Sequence, residues 1–192
     1  MRYRVHQPGF TIVELLVVII VIAILASVTV VAYNGVQDRA INSQTLSAVS
    51  QWEKILRTYQ QLNPSTTAGG LPISDYNCLA SASANFPAGN GLVAGECMHG
   101  YPGSASFSAV YSSTLTTDLQ TILGTTVTLP SGYLRPISGV VGSTQIYVQG
   151  IRYNNLAIQY YLKGYNVSCG KGSLVTTVNS GDTLTFCYIS LN

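Results

Sequence analysis

One long apolar run near the amino terminus, from Phe10 to Ala32, limits more than any other feature what this chain can fold into. A helix rises about 1.5 Å per residue, so a helix over this run can cross the roughly 30 Å hydrocarbon core of a bilayer. Glu14 is the only charged residue in the run. Because no second run of this length follows, the sequence predicts at most one membrane crossing.

The composition and the flanking charges fit a chain that is partly embedded in a membrane. Charged residues make up 8% of the 192 residues, against about 25% in typical soluble domains. Arg2 and Arg4 precede the apolar run without an acidic residue, and positive charges tend to stay on the cytoplasmic side. We therefore expect a single-pass protein of the inner (cytoplasmic) membrane, with its amino terminus inside and the chain after Ala32 exported.

The four cysteines all follow the apolar run, in the part of the chain that we expect to be exported. Disulfides persist outside the cytoplasm, and no C-x-x-C pair indicates zinc or a redox site. The nearest-neighbour choice joins Cys78 to Cys97 and Cys169 to Cys187, which closes two short loops and stabilises each. Other pairings stay open, and free buried thiols are the alternative.

An ordinary secretory signal is the other interpretation of the amino terminus. Such a signal ends in small residues at a cleavage site, and the stretch Ala23-Ile24-Leu25-Ala26-Ser27 could loosely serve. The run from Phe10 to Ala32 is longer than the apolar part of such signals, and Glu14 is oddly placed in it. The secretory interpretation is therefore the weaker one.

The stretch GFTIVELLVV, residues 9–18, resembles the class III signal of type IV prepilins, in which a short basic leader ends in glycine. Phenylalanine follows the glycine, and glutamate comes four residues after the phenylalanine. The resemblance implies that a membrane aspartyl protease, the prepilin peptidase, cuts between Gly9 and Phe10 and methylates the new amine of Phe10. It also implies that Glu14 and Phe10 act together in subunit assembly.

The same resemblance implies a domain organisation. Residues 1–9 are a leader that is removed, and residues 10–32 are the half of a long helix that lies in the membrane or filament core. Residues 33–192 form an exported head, which includes the amphipathic half-helix 33–62.

Two positions depart from the family pattern. Many pilins carry a glycine and a proline where this chain has Ala23 and Val31, and neither of these residues breaks a helix. Ser27 and Thr29, whose hydroxyls can bond to preceding carbonyls, are the remaining candidates for a softer segment of the helix.

The pattern past Tyr33 predicts an α+β fold, in which a long N-terminal α-helix packs against an antiparallel β-sheet. Apolar residues recur every three or four positions up to Leu62, Glu53 and Arg57 have a favourable i,i+4 spacing, and Asn63-Pro64 ends the helix. Trp52 is expected to anchor the core of the head. A short helix is predicted between Ser113 and Gly124, and strands at Thr125–Leu129, Thr144–Gln149, Leu156–Leu162, Leu174–Val178 and Thr183–Ile189, the last two flanking a hairpin turn at residues 179–182.

The sequence motifs that would indicate an enzyme are incomplete. GNGLVA at 89–94 fits a loose dinucleotide fingerprint but follows Pro87 rather than a strand, and CGKG at 169–172 lacks parts of a phosphate loop. His99 is the only histidine after the leader, without H-E-x-x-H or G-x-S-x-G. We therefore expect no catalytic residues, no cofactor and no metal, although folding could bring together carboxylates from among Asp75, Glu96 and Asp118.

Nucleic-acid binding is also weakly supported. Seven basic residues remain after the leader, balanced by seven acidic ones, so no basic patch is indicated. The thirteen tyrosines, which include Tyr160, Tyr161 and Tyr165, are expected mostly in the sheet. A stacking strip for sugars or bases is the alternative interpretation of them.

These observations predict a structural subunit, a pilin, of a type IV pilus-like filament that serves adhesion, twitching motility or DNA uptake. Its expected partners are other pilin subunits in a homopolymer, the prepilin peptidase, the pilus assembly platform, and the membrane before assembly. A pseudopilin of a type II secretion or competence machine is the close alternative. A membrane-anchored binding module that never polymerises is the other.

Overall fold

A computed structural model describes residues 9–62, 76–101, 107–124, 127–154, 157–174, 181 and 183–191. The chain divides into two compact units, residues 1–38 and residues 39–192. Its helices are α1 (Ile12–Leu62) and α2 (Ser113–Leu123), with a 3₁₀ turn at Ser83–Asn85. The strands are β1 (Asn77–Cys78), β2 (Glu96–Tyr101), β3 (Phe107–Tyr111), β4 (Ile137–Val141), β5 (Thr144–Val148), β6 (Arg152–Asn154), β7 (Ala157–Lys163), β8 (Ser173–Leu174) and β9 (Leu184–Ser190).

The first unit is the start of α1. Among the described residues, Ile12–Thr29 is the one helical stretch whose length and apolar composition would allow it to cross a membrane, with a mean hydropathy of 3.0. None of this stretch is buried against the rest of the protein. Its valine, isoleucine and leucine side chains therefore present an unpartnered apolar surface, as a lipid-facing helix does.

In the second unit, the apolar face of α1 packs on one face of the sheet. Trp52 and Leu56 are fully buried, and Val49 and Tyr59 nearly so, because the apolar positions recur at helical spacing. Trp52 is thus a core anchor of the head, as the sequence predicts. The helix-side core consists of these residues together with Leu79, Leu115, Leu119, Leu129, Leu134, Ile151, Tyr153, Ile158, Tyr160, Leu162, Cys169, Cys187, Ile189 and Leu191.

The strands form one sheet in the order β4-β5-β2-β3-β1-β6-β7-β9-β8. Most neighbours are antiparallel, and the longest ladder joins β7 to β9 from Ala157↔Ser190 to Lys163↔Leu184. The pair β1–β3 is parallel. The sheet is therefore mixed but mainly antiparallel, which confirms the predicted α+β class.

The sheet curls so that its edge strand β4 reaches Thr183, the residue before β9. Thr183 donates its backbone N–H to the carbonyl of Val140 at 3.0 Å, and the backbone N–H of Val140 donates to the Thr183 hydroxyl at 2.9 Å. Gly139 permits this approach, because a Cβ at this position would lie 2.3 Å from the Thr183 hydroxyl oxygen. Side chains from β4 and β9 consequently share a second core.

This second core, which we call the inner core, lies on the opposite side of the sheet from α1. It includes the Cys78–Cys97 disulfide and large apolar side chains from seven strands and loops of the head. Its buried members are Cys78, Ala80, Phe86, Cys97, Met98, Ala109, Ile146, Val148, Tyr161 and Leu184, and Tyr76, Phe107, Tyr111, Ile137, Val141 and Phe186 pack against them half-buried.

Several predicted elements agree with the structure and others differ. α1 begins at Ile12 instead of Phe10, and α2, β5, β7 and β9 lie where helix or strand is predicted. The strand predicted at Thr125–Leu129 is wrong for Val127–Leu129, which are irregular. The chain turns there, because Val127 donates its N–H to the carbonyl of Gly124, and Leu129 is used as a single core contact.

The remaining differences concern the loop-rich middle of the chain and the last hairpin. The sequence pattern missed β1, which has only two residues, and β2, β3, β4 and β6, which are short and contain Gly, Ser or charged residues. Of the strand predicted at Leu174–Val178, only Leu174 is described, and it belongs to β8. Of the turn at residues 179–182, all but Gly181 lie outside the described residues.

Candidate functional site

The first turn of α1 is closed by a reciprocal pair of residues, Thr11 and Glu14. Oε2 of Glu14 accepts hydrogen bonds from the backbone N–H of Thr11 at 2.9 Å and from its hydroxyl at 2.8 Å. The backbone N–H of Glu14 donates in turn to the Thr11 hydroxyl oxygen at 3.2 Å. This is a capping box, in which Thr11 is the N-cap and Glu14 the third helical residue. It satisfies two backbone donors that the helix itself leaves unpaired.

The predicted cleavage site lies directly before this cap. Gly9 and Phe10 precede the helix in an irregular segment, and the Phe10 side chain is 82% exposed. A Cβ added at Gly9 would meet nothing within 4 Å. The bond between the two residues is therefore accessible on the chain itself. Cleavage at this bond, methylation of Phe10 and assembly through Glu14 stay predictions.

The surroundings of Glu14 are apolar and contain no cation. The side chains of Ile12, Val13, Leu15 and Leu16 are all exposed around it, and the sequence has no lysine or arginine between residues 9 and 38. Oε1 of Glu14 accepts no hydrogen bond within the described part of the chain. The stretch Ile12–Thr29 thus presents one carboxylate, hydrogen-bonded at Oε2 alone, on a mainly apolar surface.

The helix continues through the positions where the sequence departs from the family pattern. α1 is helical at both Ala23 and Val31. The Ser27 hydroxyl donates to the carbonyl of Ile24 at 2.7 Å, and the Thr29 hydroxyl donates to that of Ala26 at 2.9 Å. Both hydroxyls therefore compete for helix carbonyls, as expected of a softer segment.

Two disulfides join the residues that the nearest-neighbour choice pairs. Cys78–Cys97 links β1 to β2 inside the inner core, and both residues are buried. Cys169–Cys187 links the loop before β8 to β9 beside α1. The described residues include no free cysteine. Each bridge closes a separate loop, and no bridge crosses between the two.

The amphipathic half of α1 is attached to the head by charged and polar contacts as well as by its apolar face. Arg57 pairs with Glu53 at 2.9 Å, the predicted i,i+4 contact, and also donates to the carbonyl of Ser190 at 3.1 Å. Lys171 lies 3.9 Å from the same glutamate. Asn42 accepts from the N–H of Lys163 and donates to its carbonyl, at 2.7 and 2.8 Å. Helix and sheet are therefore held in one register.

Folding brings Glu96 together with two other side chains that could take part in acid–base chemistry. Glu96 is 2% exposed, and its Oε1 contacts Nδ1 of His99 at 3.0 Å and accepts from the Ser108 hydroxyl at 2.5 Å. Oε2 accepts from the backbone N–H of Val93 at 3.0 Å. The Ser108 hydroxyl thus donates its hydrogen bond to the carboxylate of Glu96. The hydroxyl of an activated serine instead donates its hydrogen bond to an imidazole. Among the described residues no group of three or more His, Cys, Asp or Glu side chains could hold a metal.

Of the other candidates from the sequence, the GNGLVA stretch adjoins this cluster, because its Val93 donates to Glu96. Asp75 lies outside the described residues, and Asp118 is on α2. Gly89 and Leu92 form an isolated bridge in a tight loop, and Cys169 of the CGKG stretch is in a disulfide. Tyr160 and Tyr161 are buried in the sheet, whereas Tyr165 is half exposed.

The sequence interpretation missed two residues of note. Thr11 has a sequence signal, because Thr-x-x-Glu directly before an apolar run is typical of a capping box. Arg152 has no such sequence signal. It stands between two tyrosine-rich segments, and nothing in the sequence around it indicates that it is buried in the head.

Comparison with known proteins gives one result for the amino terminus. Residues 4–30 match the family model described as the prokaryotic N-terminal methylation motif. This motif is the class III prepilin signal, which is characteristic of type IV pilins. The chain is thus supported as a type IV pilin-like or pseudopilin protein. No curated protein and no solved structure matches the chain.

Proposed function

We propose that this chain is a structural subunit of a type IV pilus-like filament, without catalytic activity, and that it polymerises through the amino-terminal end of α1. The observation on which this rests is the position of Glu14. It is the single charge in the exposed apolar stretch Ile12–Thr29 of α1, within the matched N-terminal methylation motif. A carboxylate in such surroundings is costly in hydrocarbon and is retained where a partner neutralises it.

Removal of the leader would supply that partner. Cleavage between Gly9 and Phe10 creates an amine four residues before Glu14, directly ahead of the helix cap. Within one chain the pair hides a charge. Between chains it does more, because the amine of an incoming subunit is attracted to a Glu14 already in the filament, and a low dielectric strengthens the attraction.

The capping box is compatible with this role, because it uses only one oxygen of the carboxylate. Oε2 is held by Thr11, which leaves Oε1 for an ammonium group of another subunit. The pairing would set the axial register of subunits. The surrounding valine, isoleucine and leucine side chains would pack against neighbouring subunits without setting their register.

The finer roles form part of the same proposal. The filament serves adhesion, twitching motility or DNA uptake, and the subunit waits in the inner membrane with its head exported. Processing by the prepilin peptidase and extraction by an assembly platform precede polymerisation. A pseudopilin of a secretion or competence machine would share the same first residues, and a non-polymerising anchored module would share the membrane helix.

Replacement of Glu14 tests the proposal. Glu14→Ala and Glu14→Gln should leave export, leader removal and head folding intact but greatly reduce surface fibres, with mature subunit accumulating in the membrane. Asp38→Asn is the matched control, since it removes a carboxylate of α1 outside the apolar run and should leave fibre numbers unchanged. Fibres are counted by electron microscopy, and the subunit is quantified in membrane and fibre fractions. Normal fibre numbers in both Glu14 variants would overturn this role of Glu14, and absence of the subunit from the fibre fraction would favour the anchored module.

A further inference from the structure

Arg152 is a buried cation on β6, at the centre of the sheet. The residue is 5% exposed, and its guanidinium carbon lies 4.0 Å from the ring centroid of Phe107 and 4.6 Å from that of Tyr76. The ring of Phe186 is 5.8 Å away. These rings belong to the inner core, on the side of the sheet that α1 does not cover.

The hydrogen bonds of this guanidinium are incomplete. Its Nε donates to Oε1 of Gln159 at 2.6 Å, whereas the buried Nη1 has no partner. No carboxylate among the described residues lies within ion-pair distance of Arg152, although guanidinium groups in protein interiors are usually paired. Burial lowers the pKa of Arg152, but arginine remains charged at neutral pH. The described part of the head therefore leaves this positive charge without a carboxylate partner.

Packing alone does not account for this arginine. Ring contacts offset only part of the cost of burying a cation, and apolar side chains of similar volume often replace buried charges without loss of stability. A methionine would fill the same space among Phe107, Tyr76 and Phe186. A buried donor without a partner among the described residues calls for an explanation, and a bound ligand would be one.

Tyr76, which covers the guanidinium together with Phe107, has an unusual backbone conformation. Tyr76 has a φ of 58°, in the left-handed region that a bulky residue seldom adopts. Its ring stacks on that of Phe107 at 6.1 Å with an interplanar angle of 29°, and both rings are half-buried. Strained residues of this kind are concentrated at ligand clamps. Rotation of the Tyr76 ring towards solvent would open a path to Nη1.

We propose that Arg152 is the anion-binding group of a ligand site beneath Tyr76 and Phe107, and that the site takes a carboxylate attached to a flat apolar group. The planar carboxylate matches the guanidinium fork, and the aromatic rings suit a flat apolar body. A single positive charge within apolar walls neutralises a monoanion, whereas a phosphate dianion would keep an uncompensated charge. The site does not depend on polymerisation of the chain.

Binding of benzoate to the detergent-solubilised full chain tests this site. Benzoate should raise the midpoint of thermal unfolding, whereas neutral benzamide of the same shape should not. Arg152→Met should weaken benzoate binding by about 10- to 100-fold in titration calorimetry, because a charge-assisted hydrogen bond is lost. It should leave the midpoint without ligand unchanged or higher. Arg135→Met, which removes an exposed guanidinium, is the matched control and should retain binding.

A second pair of variants decides the question where Arg152→Met does not fold. Arg152→Lys keeps the charge but loses the fork, so it should weaken benzoate and acetate alike. Tyr76→Ala removes half of the aromatic cover and should weaken benzoate more than acetate. Equal benzoate effects in the wild type and these variants would overturn the proposal. So would a large loss of stability in both Arg152→Met and Asp75→Asn, because the chain would then supply the anion from the residue before Tyr76.

Discussion

Thr11 and Glu14 hold each other at the start of α1, through three hydrogen bonds between 2.8 and 3.2 Å. The threonine thereby fixes the rotamer of Glu14, the one carboxylate in the apolar run. Because two of these bonds use Oε2 of Glu14, the other oxygen keeps a defined direction. The cap is thus both a helix start and a means of orienting the group that we propose for assembly.

Replacement of Thr11 should reveal this orienting role. Thr11→Val has almost the same shape but no hydroxyl, so we expect fewer fibres and faster amide exchange at residues 12–15 in detergent. Thr11→Ser keeps the hydroxyl and should behave like the wild type. If Thr11→Val matches Thr11→Ser in both measurements, the cap has no part in assembly.

The mature amino terminus is the next prediction. If the bond between Gly9 and Phe10 is the scissile bond, N-terminal mass spectrometry of the membrane or fibre subunit should find Phe10 first, with one added methyl group. Gly9→Val should block this processing, because the residue before the cut would no longer be small, and longer chains should accumulate. A mature chain that starts near Ala26 or Ser27 would instead indicate ordinary signal cleavage.

The sequence was sufficient for the features that depend on local pattern. The apolar run, the position of Glu14 in it and the helical period up to Leu62 are all local, and the structure agrees with them. The two cysteines of each disulfide, Cys78–Cys97 and Cys169–Cys187, are close to each other in the sequence. The nearest-neighbour choice therefore predicted the pairing.

The sequence was insufficient where long-range contacts decide the structure. Short strands such as β1 have little pattern of their own and are strands because their neighbours pair with them. Glu96 meets Ser108 only through the register of β2 and β3. Arg152 resembles a surface residue until the curled sheet places rings from three distant segments around it.

The second disulfide should stabilise the last strands of the sheet. Peptide mapping should join Cys169 to Cys187 and Cys78 to Cys97, without free thiols. Replacing both Cys169 and Cys187 by alanine should lower the free energy of unfolding by about 3 kcal/mol, while the membrane helix remains. Amide exchange should rise mainly in β8 and β9. Peptides that link Cys97 to Cys169 would contradict two independent loops.

Stability should fall as the pH rises from about 10 to about 12, because two tyrosines are buried. Burial raises the pKa of Tyr160 to about 12, with a further contribution from Glu53, and burial also raises the pKa of Tyr161 to about 12, although Arg152 opposes the shift. An exposed tyrosine of the unfolded chain ionises near pH 10. In this interval the unfolded state therefore binds fewer protons than the folded state, and the free energy of unfolding decreases with pH.

Two tyrosine-to-phenylalanine variants distinguish this effect from other causes of lower stability at alkaline pH. The Tyr160 hydroxyl donates to the carbonyl of Cys169 at 2.7 Å, so Tyr160→Phe should cost about 1 kcal/mol at neutral pH but flatten the decline above pH 10. The Tyr161 ring stacks on Phe186 at 4.7 Å, a contact that phenylalanine keeps, so Tyr161→Phe should flatten the decline at little neutral cost. Denaturant unfolding at several pH values measures both, with the exposed Tyr165→Phe as control. A decline as steep in both buried variants as in the control would mean that these tyrosines are not its cause.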